Sequence, residues 1–476
     1  MHPALQNLEI ICMISSYVKC SSLPSFASTC RAFEHPALNA LWRDLQSVKP
    51  LVQCLPDDLF GFDELGGVAL QEPLDDRMWH TLFKYTSRVH SITVPNDMEA
   101  INPVCLLVLS CSSAPALLFP NLRKLEWHAS GTHCAADFLR MVFVPSLLEL
   151  NMDIPSASSA FFSVLSSLGT SCPRLQNMSL NYGFRPLILS FEASPFITRP
   201  ISQLHHLHTL SVCDLGIQGI EHLTELRALE SLSLKFTIDS AWDIVDLSLS
   251  GFHNLQSLSL STVTMEQASD FLSSLQFVRT KEIRVDFEDQ DESTAILRLF
   301  AISIFAPLYA CRNLTQLLVG SVCYISMSNK ELGQLVTAWP KLQVLQIKCY
   351  PSDDSDSIIP TFHGLITLLG RCPALTSLTL VINVTKLNGI DLKSPGGGCR
   401  NERLKFLALG NSPIKVPVNV ALIISGLFPN LKKVDCWDAY PMGQKKSVKQ
   451  QWELVNSIIG GFSLVEERSF AIWSDL

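Results

Sequence analysis

Apolar residues return in a fixed frame between Val89 and Cys436: one position, two intervening residues, a second position, one intervening residue, a third. Leu122-Leu125-Trp127, Leu147-Leu150-Met152, Leu229-Leu232-Leu234, Leu255-Leu258-Leu260 and Leu342-Leu345-Ile347 are examples, recurring at intervals of about 22 to 34 residues. The last two positions lie two apart, so both point to one side of a short strand and the residues between them point to the other. Between frames, Phe161, Val164, Leu165 and Leu168, or Leu332, Leu335, Val336 and Trp339, have the three- and four-residue offsets that share a side only in a helix. Phe119-Pro120-Asn121, Cys172-Pro173, Trp339-Pro340, Cys372-Pro373 and Phe428-Pro429-Asn430 stop those helices and return the chain to the next strand. The pattern predicts about thirteen strand-turn-helix-turn units, each burying its apolar face against its neighbours. One copy, Thr280-Ile283-Val285, is degraded because it begins with a hydroxyl.

This frame resembles the leucine-rich-repeat family in its longer-repeat form. The resemblance implies an α/β horseshoe over residues 89–440, with parallel strands on the concave side and helices on the convex side. The Asn usually found three residues after the last frame position appears here only as Asn383. Residues between frame positions would line the concave surface: charged or polar early (Lys124, Glu126, His128, Asn151, Asp153, Asn181), hydroxyl-bearing in the middle (Ser231, Ser233, Ser257, Ser259), more apolar late. Aromatic side chains bring large contact area and few rotors. Phe406, Lys433 and Trp437 are therefore the candidate substrate-binding patch.

Residues 1–47 depart from the repeat. A first helix from Leu5 to about Val18 carries Leu5, Leu8 and Cys12 on one side and Ile10, Ile14, Tyr17 and Val18 on another. A second follows Ser21 and Ser22, with Pro24 in its first turn and Leu23, Phe26 and Ala27 aligned. A third carries Pro36 and aligns Leu38, Leu41, Trp42 and Leu45. Three helices this short make a small core, and their surplus apolar surface points to a partner. Leu8-Glu9-Ile10, Ser22-Leu23, Thr29-Cys30-Arg31-Ala32-Phe33 and the closing Pro36 to Trp42 resemble an F-box of the kind found in fungal (basidiomycete-type) F-box proteins, although Asn7 and Leu8 stand where a Leu-Pro pair usually opens the motif. That resemblance implies docking on a Skp-type adaptor of a cullin-RING ubiquitin ligase, with Leu5, Leu8, Ile10, Ile14, Leu23, Leu41 and Trp42 as the adaptor face. Residues 48–88 read as a linking layer with an acidic, glycine-bearing loop from Asp57 to Gly67. Residues 441–476 read as a cap, a helix through Trp452, Val455, Ile458 and Ile459 followed by a strand at Phe470 to Trp473.

Composition narrows the function classes. With 476 residues, 47% hydrophobic and 17% charged, the chain can bury a continuous core, and its formal charge of -8 disfavours a dedicated nucleic-acid binder. Ile101 to Pro120 lacks charge but is broken by Pro103, Pro115 and a serine-rich knot, which suits a buried repeat helix better than a membrane span. The N-terminus has no basic start, and Glu9 interrupts its first apolar segment, so a cytosolic or nuclear protein is expected. Fifteen cysteines without a Cys-x-x-Cys pair suit buried thiols in a reducing compartment, and no metal or cofactor is expected. His205, His206 and His208 read as exposed or capping residues. Ser394-Pro395-Gly396-Gly397-Gly398 lacks the Lys-Ser/Thr ending of a phosphate loop and reads as a flexible loop, and no serine-nucleophile elbow or zinc-protease helix occurs. The expectation is a non-catalytic substrate receptor of a ubiquitin ligase. A protein-interaction scaffold without a ligase link is the competing class.

Overall fold

The computed structural model describes residues 7–62, 68–72, 74–96, 118–129, 135–154, 159–182, 194–236, 251–262, 264–275, 279–287, 299–320, 324–348, 358–409, 412–435 and 446–474. The chain divides into two compact units, Met1–Leu229 and Glu230–Leu476.

The first unit opens with three helices, α1 (Leu8–Tyr17), α2 (Leu23–Ala27) and α3 (Arg31–Arg43). Asn7 caps α1 by accepting the Glu9 N–H at 2.8 Å, and Pro24 occupies the first turn of α2, where its missing N–H costs nothing. A short strand β1 (Asp44–Leu45) follows, then α4 (Lys49–Val52), an antiparallel hairpin of β2 (Phe60–Phe62) and β3 (Val68–Leu70), and α5 (Asp76–Thr86). The expected open loop at Asp57 to Gly67 is thus partly this hairpin, whose Phe-Gly-Phe arm was too short to separate from a loop by periodicity. Repeats then run β4 (Ser91–Val94), β5 (Lys124–Trp127), α6 (Ala135–Val142), β6 (Glu149–Ile154), α7 (Ser159–Leu165), α8 (Leu168–Ser171), β7 (Asn177–Tyr182), α9 (Ser194–Ser202), β8 (Thr209–Cys213) and α10 (Gly216–Thr224). The parallel ladder begins at β1, which pairs with β4, one strand earlier than the leucine frame indicates.

The second unit contains β9 (Ser231–Lys235), β10 (Ser257–Thr262), α11 (Met265–Ser274), β11 (Glu282–Phe287), β12 (Leu299–Ala301), β13 (Gln316–Gly320), β14 (Tyr324–Ser326), α12 (Asn329–Ala338), β15 (Val344–Ile347), α13 (Phe362–Arg371), β16 (Ser377–Thr379), β17 (Phe406–Ala408), α14 (Pro417–Leu427) and α15 (Lys446–Ser474). Its main ladder is parallel from β9 through β10, β11, β13, β15 and β16 to β17; β12 and β14 form a separate parallel pair. Helix α15 continues through residues 470–473, where a strand was expected; a four-residue apolar run has no period of its own, and the helix preceding it propagates.

Both units are α/β leucine-rich-repeat arrays, parallel strands in one layer and mainly helices in the other. Register explains why the frame folds this way. Leu125, Leu150, Met178 and Leu210 stand opposite one another in turn, as do Leu232, Leu258, Ile283, Leu317, Leu345, Leu378 and Leu407. All are buried, and each stabilises its repeat by about 1.5 to 3 kcal/mol relative to exposure. A one-residue slip would turn a whole row to solvent. A forked hydrogen bond recurs at the start of successive ladder strands and locks the register. The His90 carbonyl accepts both Arg123 N–H (2.8 Å) and Lys124 N–H (3.0 Å); Gln343 repeats the fork with Thr376 and Ser377, and Thr376 with Lys405 and Phe406. The degraded copy survives because the buried Thr280 hydroxyl reaches the Leu255 carbonyl at 3.4 Å.

Between β16 and β17 a loop replaces the helix. Ser394 to Gly398 is not loose there: Gly397 N–H donates to Ser394 O and Cys399 N–H to Gly396 O, both at 2.9 Å. Gly397 and Gly398 have φ of +57° and +94°, a region that favours glycine, and a Cβ on Gly396 would collide with the Cys399 carbonyl. The uncharged stretch at 101–117 lies outside the described residues. Among the described residues no helix is long and apolar enough to cross a membrane.

Candidate functional site

Three surfaces of the two units gather exposed apolar, polar or charged side chains. The first is α1. Its inward side is narrow, with Ile11 and Ser15 buried and the Ser15 hydroxyl donating to the Ile11 carbonyl at 2.8 Å. Ile10, Met13 and Tyr17 fall at offsets of three and seven residues and form an outward stripe; Met13 is 61% and Tyr17 85% exposed. Leu8, 63% exposed, flanks the opposite edge. Inside the head, Leu23, Pro36 and Ala37 are buried, and Phe26 stacks on Phe33 with ring centroids 4.7 Å apart.

The proposed adaptor residues therefore separate. Leu8 is exposed and Ile10, Ile14 and Leu41 are half-buried, whereas Leu23 belongs to the internal core. Trp42 is also buried: it stacks on Tyr85 of α5 at 4.5 Å, just before β1 joins the ladder. Leu5 lies outside the described residues. Met13 and Tyr17 were not among the sequence candidates as a pair, although their spacing of four was visible.

The second surface is the open face of β4 to β7. Thr93 donates to Glu126 (3.0 Å), which also pairs with Lys124 (2.8 Å); the Lys124 hydrogen bond holds the Glu126 carboxyl below the ordinary carboxylate range, and Lys124 is raised in return. His128 Nδ1 lies 2.6 Å from Asp153 Oδ2, and Asn181 Nδ2 donates to Asp153 Oδ1 (3.1 Å) and Asn151 Oδ1 (3.2 Å). The Ser179 hydroxyl on the same face donates to Asn181 (3.4 Å). The face is a hydrogen-bonded polar lattice with its side chains already partnered.

The third surface is a cleft of about 650 Å³ in the second unit, at the starts of the last strands. Thr376, Arg403, Lys405, Phe406, Lys432 and Lys433 line it, with Glu402 and Asp435. Two of the three predicted substrate residues, Phe406 and Lys433, meet here; Trp437 lies outside the described residues. Phe406 is 39% exposed because its strand places it on the open face, between buried Leu404 and Leu407. Lys433 pairs with Asp435 at 3.1 Å. The neighbouring cations Arg403, Lys405 and Lys432 were missed; they occupy frame-flanking positions that the leucine pattern leaves unconstrained.

Burial pushes the Cys172, Cys311 and Cys372 thiols up to about 12, which keeps them protonated. Among the described residues no group of three His, Cys, Asp or Glu side chains is placed to hold a metal ion. His205, His206 and His208 are exposed.

No family model matches the chain, and no curated protein does. Among solved structures, an internalin (inlF) from Listeria monocytogenes is similar at 16% identity, with 83% of this chain and 94% of that chain covered and a TM-score of 0.39. That is a loose likeness of fold and says nothing about binding.

Proposed function

We propose that this protein is a non-catalytic substrate receptor of a cullin-RING ubiquitin ligase, in which α1 to α3 dock on a Skp-type adaptor and the open face of the repeats holds the protein to be ubiquitinated. The carrying observation is the exposed stripe of Met13 and Tyr17, with exposed Leu8 on the opposite edge of α1, on a head whose internal core is already filled by Ile11, Leu23 and Ala37. Apolar and aromatic side chains exposed together on a small helical unit are the usual anchors of a protein interface. The resemblance of residues 8–42 to an F-box names the class of partner.

A receptor must hold its cargo at a steady distance from the transfer site. The join of head to repeats is suited to that, because the Trp42–Tyr85 stack and the β1–β4 pairing tie α3 to the first strands without a free linker. The repeats themselves present strands whose order is already established by folding, so little entropy is lost when a partner binds. Transfer of ubiquitin is then the work of other subunits.

The test is co-elution of the full chain with a purified Skp-type adaptor in size-exclusion chromatography. Wild type should form a complex, and a chain with Met13→Asp and Tyr17→Asp should not. Deleting residues 1–47 is a poorer control because it also removes β1. If the folded wild-type chain forms no complex, the ligase reading is wrong and a repeat scaffold without a ligase link takes its place.

A further inference from the structure

The cleft at the end of the second unit has a charge that the rest of the chain does not share. The protein carries 44 acidic against 36 basic residues. Around this cleft stand Arg403, Lys405, Lys432 and Lys433 against Glu402 and Asp435. Asp435 is already engaged by Lys433. Arg403, Lys405 and Lys432 have no ion-pair partner among the described residues.

Register explains the concentration. The two positions that open each strand read Thr315-Gln316, Gln343-Val344 and Thr376-Ser377 in the preceding repeats, then Lys405-Phe406 and Lys432-Lys433. Thr376 and Lys405 are joined by a 2.8 Å backbone hydrogen bond, and Ala408 bridges Asp435 in parallel, so these positions sit on adjacent chains about 4.8 Å apart. Like charges carried on neighbouring backbones and lining one cleft repel one another, and an anionic occupant relieves that repulsion. Phe406 supplies an apolar wall beside them.

We propose that this cleft binds an acidic peptide segment of a partner protein, its carboxylates against Arg403, Lys405 and Lys432 and an apolar side chain against Phe406. The proposal deepens the receptor reading and rests on it for the identity of that partner as cargo. A peptide fits better than a nucleic acid. Among the described residues that line the cleft, the basic side chains come from two repeats and Phe406 is the single aromatic, and the chain has a net charge of -8.

Fluorescence anisotropy on the full chain tests it, with three labelled peptides of equal length: one rich in Asp and Glu with a central Leu-Phe pair, one with those acids replaced by Gln, and one by Lys. The acidic peptide should bind about tenfold or more tightly than the other two and weaken as salt rises. Lys405→Glu with Lys432→Glu should abolish that preference, while Lys386→Glu, on an exposed loop position away from the cleft, should leave it intact. Phe406→Ser should weaken binding without changing the salt dependence. Should charge reversal unfold the chain, Lys405→Gln with Lys432→Gln must still reduce affinity. Equal binding of the acidic and Gln peptides, or tighter binding of a single-stranded oligonucleotide, overturns the proposal. Adaptor co-elution depends on α1 and not on the cleft, so loss of one result with retention of the other shows which reading has failed.

Discussion

The side-chain amide of Asn456 exchanges two hydrogen bonds with the backbone of Val434: Val434 N–H donates to Oδ1 at 2.8 Å, and Nδ2 donates to the Val434 carbonyl at 2.9 Å. A carboxamide carries the same donor and acceptor as a peptide group, so Asn456 of α15 pairs with Val434 as the backbone of a neighbouring strand would. Trp452, one turn earlier on the same helix, is buried and donates its indole N–H to the Ser412 carbonyl at 3.1 Å. An open strand edge invites pairing with another chain, and covering it is what a terminal cap does.

Replacing Asn456 by Ala should leave both Val434 groups without partners and cost about 1 to 3 kcal/mol in urea unfolding of the full chain. The loss should be local. Hydrogen exchange should quicken at residues 431–435 and stay unchanged at β9 and β10.

On α1 the exposed and buried residues should respond oppositely. Met13→Ala and Tyr17→Ala should change stability by no more than about 0.5 kcal/mol, and each should weaken adaptor binding. Ile11→Ala, at a site 2% exposed, should destabilise the head by about 2 to 4 kcal/mol. Circular-dichroism melts paired with adaptor titrations separate the two effects; equal loss of stability from Tyr17→Ala and Ile11→Ala would contradict the assignment of faces.

Thiol reactivity should divide by burial. At mildly alkaline pH, iodoacetamide should label the exposed Cys12 and Cys20 in the folded chain and spare Cys172, Cys311 and Cys372, as read by mass spectrometry. The same burial has a consequence for stability. Each of the three buried thiols is pushed from 9.0 to about 12, so above pH 9 the unfolded chain releases protons that the folded chain retains. Stability should therefore fall as pH rises from about 9 towards 12. Substitution of Cys311 by Ala should reduce that slope in alkaline denaturation.

At the start of α12, Ser328 and Glu331 form a reciprocal cap: Glu331 N–H donates to the Ser328 hydroxyl at 3.2 Å, and Ser328 N–H donates to the Glu331 carboxylate at 2.7 Å. Hydrogen bonding to Ser328 holds the Glu331 carboxyl below its ordinary 4.5. Its contribution is full above that value and is lost as pH falls through the lower, folded-state one. Ser328→Ala, which keeps the backbone N–H to Glu331 but loses the hydroxyl, should cost about 1 kcal/mol near neutrality and reduce this part of the acid sensitivity, measured by urea unfolding across the acid range.

Much of the fold was legible because its logic is one-dimensional. Each repeat meets only its neighbours, so a leucine spacing that favours a strand and a helix in one repeat favours the same in the next, and the columns from Leu232 to Leu407 follow from the frame alone. Periodicity failed where a segment was too short to have a period. The Phe60–Phe62 arm, the two-residue strand at Asp44 and the end of α15 took their form from what they pack against or continue.

For the candidate sites, the sequence alone determined which residue types were present and which side of a strand they occupied, and that was enough to single out Phe406 and Lys433. Tertiary structure decided which apolar residues remained uncovered. Leu23 and Trp42 look like Leu8 and Ile10 in a helical pattern, but a small head must spend some of them on its own core, and only packing selects which. It also decided that Arg403, Lys405 and Lys432 share one cleft, because residues 27 positions apart become neighbours only when adjacent repeats stack in register. Spacing along a chain encodes direction; proximity between repeats arises from folding.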